Sequence, residues 1–141
     1  MGQGTDLTSV IVTADTNILV RALMGDDPRQ GALAQAERNS ADGIALTLTA
    51  LCELVWGLAR GYKIPRADIA AAIGRLINAG NVVVDRPAVE AGLAMLTAGA
   101  DFADGVIARE GSWLGAETFV SFDEKMVAAL TSREERARVV A

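Results

Sequence analysis

Glu53 is the only charged residue between Ile44 and Ala59, in a run whose other members are apolar, small or threonine. An ionised carboxylate inside an apolar helix is costly unless something compensates it. At helical spacing Glu53 shares a stripe with Thr49, Gly57 and Arg60, polar or small throughout, beside a broad face of Leu, Val, Cys and Trp. Either Glu53 marks the solvent edge of a buried helix, or it points into a polar pocket where a proton or a cation compensates it. Four aspartates bear on the choice. Asp15 follows the β-branched run Ser9–Ala14, Asp123 follows Glu117–Phe122, and Asp101 and Asp104 open a helical segment. Acids brought together repel, so they need protons or cations to coexist. Hard divalent ions with oxygen ligands, Mg²⁺ or Mn²⁺, are the natural compensation. The chain has no histidine. That removes Ser-His-Asp and Cys-His triads, His-based acid–base chemistry and His-ligated zinc.

The elements that must position these acids alternate along the chain. Strands are predicted at Ser9–Ala14, Ile44–Leu46, Asn81–Val84 and Glu117–Phe122 from their short apolar or β-branched runs. Helices are predicted at Thr16–Met24, from Pro28 through Arg38, across Glu53 to near Gly61, and over Arg66–Ala79, Pro87–Ala98 and Asp101–Trp113. Glycines and prolines punctuate them. A short helix follows Asp123 as far as Leu130, and the charged tail SREERARVVA reads as helical or frayed. Strands alternating with helices predict a parallel sheet covered on both faces, with ligands outside the carboxyl ends of its strands. All five acids fall at that edge.

Each acid also has a plainer reading. Asp15 and Asp123 fit helix N-caps, worth about 1 kcal/mol each. Asp101 with Asp104 fits a cap followed by a first-turn acid, and capping alone is enough for Asp101 and Asp123. It does not account for Glu53, nor for five acids at one edge. The chain holds 18 acidic residues against 13 Lys and Arg, a net charge of −5, so outside these five it is formally neutral.

Composition sets the remaining bounds. At 141 residues the chain reads as one domain over residues 9–141, preceded by a disordered lead-in at 1–8. Half the residues are hydrophobic (51%) but only 4% are aromatic, so Ala, Leu, Val and Ile must build the core. The acidic balance argues against a general polyanion binder. No apolar run is long enough for a membrane span, and the single cysteine, Cys52, excludes an internal disulfide and reads as core filler in a protein of the reducing cytoplasm.

Four segments together, residues 10–24 (VIVTADTNILVRALM), 48–62 (LTALCELVWGLARGY), 99–108 (GADFADGVIA) and 118–126 (TFVSFDEKM), resemble the acidic motifs of PIN-domain ribonucleases. They are most similar to the VapC-type toxins of VapBC toxin–antitoxin systems. The resemblance runs from about Val10 to Leu130 with motif order and spacing intact. It implies a PIN-like three-layer α/β/α sandwich with a small central parallel sheet. It also implies an Mg²⁺- or Mn²⁺-dependent endoribonuclease that cleaves single-stranded RNA. Asp15, Glu53, Asp104 and Asp123 match the catalytic acids, with Asp101 as an additional candidate ligand. Thr16, Asn17 and Ser121 match the polar residues that support the site; Ser121 stands where threonine is commoner.

The implied chemistry is phosphodiester hydrolysis by a water activated on one or two bound ions. Arg21 and Arg60 are the candidate RNA-phosphate contacts, against the ordinary role of helix-surface arginines. The resemblance further implies a VapB-like antitoxin and a homodimer. Leu23, Trp56 and Tyr62 offer apolar surface to the antitoxin, and the helices Arg66–Ala79 and Pro87–Ala98 offer a dimer contact, with core packing as the alternative there. The rival classes are a non-toxin PIN nuclease, a catalytically silent PIN binding module, and a metal-dependent phosphatase or receiver-like domain. A receiver pairs two acids at the end of its first strand, whereas this chain has Asp15-Thr16-Asn17 there.

Overall fold

The computed structural model describes residues 10–141, and the expected disordered lead-in lies outside the described residues. In chain order the elements are β1 (Ile11–Thr13), α1 (Thr16–Met24), α2 (Pro28–Ser40), β2 (Gly43–Ala45), α3 (Leu48–Arg60) and α4 (Arg66–Ile77). They continue with β3 (Val82–Val83), α5 (Arg86–Thr97), α6 (Phe102–Trp113), β4 (Phe119–Ser121), α7 (Glu124–Ser132) and β5 (Ala137–Val139). The strands form a three-stranded sheet in the order β1-β2-β3 and a separate β4-β5 pair, and every pairing is parallel. The α/β class and the small parallel sheet expected from the sequence are therefore present. The tail departs from expectation. Residues 137–139 form a strand, with Phe119 opposite Ala137 and Ser121 opposite Val139.

Two compact units divide these residues. The first runs to Lys63 and includes Ala72–Val84. Its sheet registers Ile11 with Gly43 and Ile44 with Val82. α1 stops at Gly25, whose φ of 64° is a left-handed conformation that glycine adopts without strain. Asp27 then caps α2 by accepting from the Gln30 N–H, and Pro28 occupies its first turn. The resulting α1–α2 hairpin packs closely, with Leu19 and Ala34 buried and the Gln35 amide donating to the Ala22 carbonyl at 3.2 Å. Asn81 fastens the entry to β3 by donating to the carbonyls of Arg38 (2.8 Å) and Ala41 (3.2 Å).

The second unit comprises Ile64–Ala71 and Asp85–Ala141. α5 and α6 cross where both carry glycine. A Cβ at Gly105 would run into the Ala91 carbonyl, and one at Gly92 would meet the Phe102 ring at 2.8 Å. Phe102 is buried there, which is worth roughly 1.5–3 kcal/mol for such a side chain. Arg66 donates to the Leu96 and Ala100 carbonyls at 3.3 and 2.7 Å, satisfying acceptors at the end of α5. Met95, Ala100, Met126 and Leu130 form a cluster against which Phe119 and Ala137 pack. That contact explains the strand in the tail: Ala137 meets the cluster and Val139 completes the ladder, although the preceding residues are charged.

The apolar residues that suggested a dimer contact on α4 and α5 are taken up inside the chain. Ile69, Ile73, Leu76, Val89, Met95 and Leu96 are all buried.

Candidate active site

In the first unit the site begins where β1 ends. Asp15 is the N-cap of α1, its Oδ1 accepting from the Ile18 N–H at 3.1 Å. The next residue, Thr16, donates its hydroxyl to Glu53 Oε1 at 3.1 Å. Glu53 reaches that position because α3 starts close behind β2, capped by Thr47, whose Oγ1 accepts from the Ala50 N–H at 3.1 Å. The opposite face of α3 buries Leu51, Leu54, Val55 and Leu58, which fixes the rotation of the helix. Glu53 is exposed and tied to the residue beside Asp15. Among the described residues neither carboxylate has a basic partner.

In the second unit Asp123 follows β4 and caps α7. Its Oδ1 accepts from the Lys125 and Met126 N–H groups at 3.0 and 3.1 Å. Ser121 holds this turn, its Oγ accepting from the Asp123 N–H at 3.0 Å. Asp101 occupies the N-cap position of α6 but makes no capping hydrogen bond with its side chain. Asp104 lies in the first turn of α6 and is half-buried. Burial, and then the negative charges of Asp101 and Asp123, push its carboxyl above the usual carboxylate range. Capping thus accounts for one oxygen of Asp123, whereas Asp101 and Asp104 are gathered acids without that role.

The donor set in both units is carboxylate and hydroxyl oxygen, which fits a hard divalent cation. A half-buried acid that resists ionisation beside two others is what such a cation would relieve. As the side chains lie, no three of the described acids stand closely enough to hold an ion.

The PIN domain family model matches residues 12–130. The chain belongs to the PIN domain family. PIN domains are typically metal-dependent nucleases, and the match spans the segments carrying all five acids. Seven helices and a three-stranded parallel sheet among the described residues give the PIN-like α/β/α fold. No curated protein matches this PIN domain.

The two arginines differ in setting. Arg60 is exposed in the last turn of α3. Arg21 is engaged, its Nη1 donating to Asp26 Oδ1 at 3.1 Å and its Nε to Gln30 Oε1 at 2.9 Å. Tyr62 donates its hydroxyl to Asp26 Oδ2 at 2.7 Å. The Tyr62 hydrogen bond, reinforced by Arg21, holds the Asp26 carboxyl below its usual range, and the same bond raises the Tyr62 hydroxyl. Sequence reasoning did not single out Asp26 or Gln30 for this network, and read Tyr62 as outward apolar surface. Asp26 and Tyr62 are 36 residues apart with no periodic relation. Trp56, by contrast, is 65% exposed on α3, as an outward apolar residue should be.

Proposed function

We propose that this PIN domain is an endoribonuclease that cleaves single-stranded RNA with Mg²⁺ or Mn²⁺ held by Asp15, Glu53, Asp104 and Asp123, with Asp101 as a further ligand. The observation that carries this reading is Asp104: a half-buried carboxyl beside Asp101 and Asp123, pushed toward its protonated form. A purely structural acid gains nothing from that setting. When bound, a hard divalent cation supplies an activated water at neutral pH and compensates charge on the leaving oxygen.

The chain's own residues orient the acids. The Ile18 N–H holds one oxygen of Asp15, the Thr16 hydroxyl holds one oxygen of Glu53, and the Lys125 and Met126 N–H groups hold one oxygen of Asp123. Each carboxylate keeps its second oxygen for a cation. A cation held beside Asp104 would favour its ionised form. Arg60, on the exposed end of α3, would meet a phosphate, Ser121 supports the turn that carries Asp123, and Asn17 is the polar residue we assign to the Asp15 side of the site.

As a cytoplasmic ribonuclease such a protein must be restrained. We assign it as the toxin of a type II toxin–antitoxin pair, a VapC-type homodimer covered by a VapB-like antitoxin. The exposed Trp56, one turn beyond Glu53 on α3, supports an apolar partner surface next to the acids.

Cleavage of single-stranded RNA in Mn²⁺, with and without chelator, tests the reading. The wild type cleaves only without chelator, and Asp104→Asn falls by at least about a hundredfold, as expected for a lost ligand or its supporting shell. Undiminished cleavage by the variant, or cleavage in chelator, overturns it.

A further inference from the structure

We propose that the groove between α1 and α2 is a base-binding pocket for the nucleotide beside the scissile phosphate, with the N–H donors of Arg21 and Gln30 forming a wall that selects guanine; this rests on the nuclease reading above. The open groove has a volume of about 400 Å³ and includes Asp15 in its lining, a volume at the small end of small-molecule pockets.

The helical stripe Gln30, Leu33, Ala34 and Glu37 of α2 faces Asn17, Ile18 and Arg21 of α1 across the groove. The two helices form a hairpin, so Arg21 meets Gln30 at one end while Asp15 and Glu37 lie toward the other. Between these polar ends the lining is aliphatic. Leu33 is 58% exposed and Ile18 37%, apolar area left for a flat ring to cover. The six steps from Asp15, the N-cap of α1, to Arg21 rise about 9 Å, the scale of one nucleotide from phosphate to base edge.

Charge decides which part of the nucleotide enters. Arg21 is already neutralised by Asp26, while Asp15 and Glu37 are acidic. A phosphate would be repelled inside the groove, whereas a neutral base would not. The wall at the Arg21–Gln30 end carries donors. Gln30 turns its carbonyl oxygen to Arg21 Nε, and its two amide N–H donors make no hydrogen bond among the described residues. Arg21 gives Nε to Gln30 and one Nη1 hydrogen to Asp26, and its guanidinium also interacts with the Tyr62 oxygen, which leaves part of its five-donor fork over. Asp26, held in turn by Tyr62, fixes the guanidinium. Donors side by side recognise acceptors side by side, and guanine presents N7 and O6 together. Adenine places an amino donor next to N7 and is disfavoured. In single strands these edges are accessible.

The same network could serve only to staple α1 to α2, and Gln30→Glu separates the two roles. Glutamate still accepts from Arg21 Nε, so the staple persists, but the amide donors are lost. RNAs differing only at the bases flanking the cut are cleaved by wild type and variant, and melting temperature is followed in parallel. Wild type prefers guanine over adenine at one flanking position by about tenfold, and Gln30→Glu abolishes or reverses that preference with its melting temperature retained. A wild type indifferent to both flanking bases, or a variant that keeps the preference, overturns the pocket. If the wild type cleaves no RNA, the nuclease reading fails, and guanosine monophosphate titrated against the metal-free protein judges the pocket by NMR. Saturable shifts at Gln30 and Leu33, weaker with adenosine monophosphate and lost in Gln30→Glu, uphold it; no shift at those residues overturns it.

Discussion

The Thr16 hydroxyl donates to Glu53 Oε1 at 3.1 Å, joining the first turn of α1 to the middle of α3. The bond sits one residue after Asp15, so the acid that ends β1 and the acid in the apolar helix are linked through a single side chain. Thr16→Val removes the hydroxyl and keeps the shape. Because the bond is exposed, stability should fall by no more than about 1 kcal/mol. Glu53 would lose its orientation, and RNA cleavage should fall roughly tenfold with a higher requirement for Mn²⁺. Cleavage rates over an Mn²⁺ series, set beside urea denaturation, check this. Unchanged rates at limiting Mn²⁺ would remove Thr16 from the site.

Asp104 predicts a pH dependence of stability. Its carboxyl lies above the usual range in the folded protein, so the folded state binds the proton more tightly than the unfolded chain does. The contribution is fully present below the ordinary carboxylate pKa and is lost as pH rises through the raised value. Metal-free wild type should therefore lose stability relative to Asp104→Asn across that window and stay below it at neutral pH. Denaturation of both proteins over a pH series without metal gives the difference directly. Adding Mn²⁺ should reverse the order and release a proton from the wild type, measurable by calorimetry in two buffers. A difference independent of pH would separate Asp104 from the coupled acids.

The positions of Asp15, Asp123 and Glu53 were legible because they follow a local grammar. A short apolar strand, an acid and a helix with a glycine stop need only neighbouring residues, and α1 begins and ends where that grammar puts it, at Thr16 and Met24. Glu53 stood out as a lone charge in an apolar run. β5 was hidden because its three residues follow a charged segment and are ordered by Phe119 and the Met95–Leu130 cluster. The ties of Arg21 were hidden for a related reason: Asp26 and Tyr62 meet only after α1, α2 and α3 have packed. Asp101 marks the limit of reading by position, since it occupies a cap site without making the capping bond.

Tyr62→Phe tests the network around Arg21. The hydroxyl is the main cause of the depressed Asp26 carboxyl, with Arg21 reinforcing it. Asp26 stabilises the fold above the ordinary carboxylate pKa, and that contribution disappears as pH falls through its depressed value. Without the Tyr62 hydroxyl the Asp26 titration should move upward toward the ordinary range, followed by carboxyl-carbon NMR. An unmoved titration would mean that Arg21 alone sets it.

The last prediction concerns the packing that carries Asp104. Gly105 follows Asp104 directly, and it is buried where a Cβ would run into the Ala91 carbonyl of α5. Backbone cannot swing aside as a side chain can, so Gly105→Ala must push the helices apart. Overpacking of this kind costs roughly 1–3 kcal/mol. That outweighs the gain of about 0.5–1 kcal/mol from replacing a helical glycine by alanine. Gly74→Ala is the matched control, since nothing lies within 4 Å of a Cβ built at that position of α4. It should be more stable than wild type by the helical gain alone. Urea midpoints should therefore move in opposite directions for the two variants. Because Asp104 precedes the displaced residue, Gly105→Ala should also weaken Mn²⁺-dependent stabilisation, which Gly74→Ala leaves intact. If both variants gained stability, the close crossing of α5 and α6 would not be what sets the start of α6.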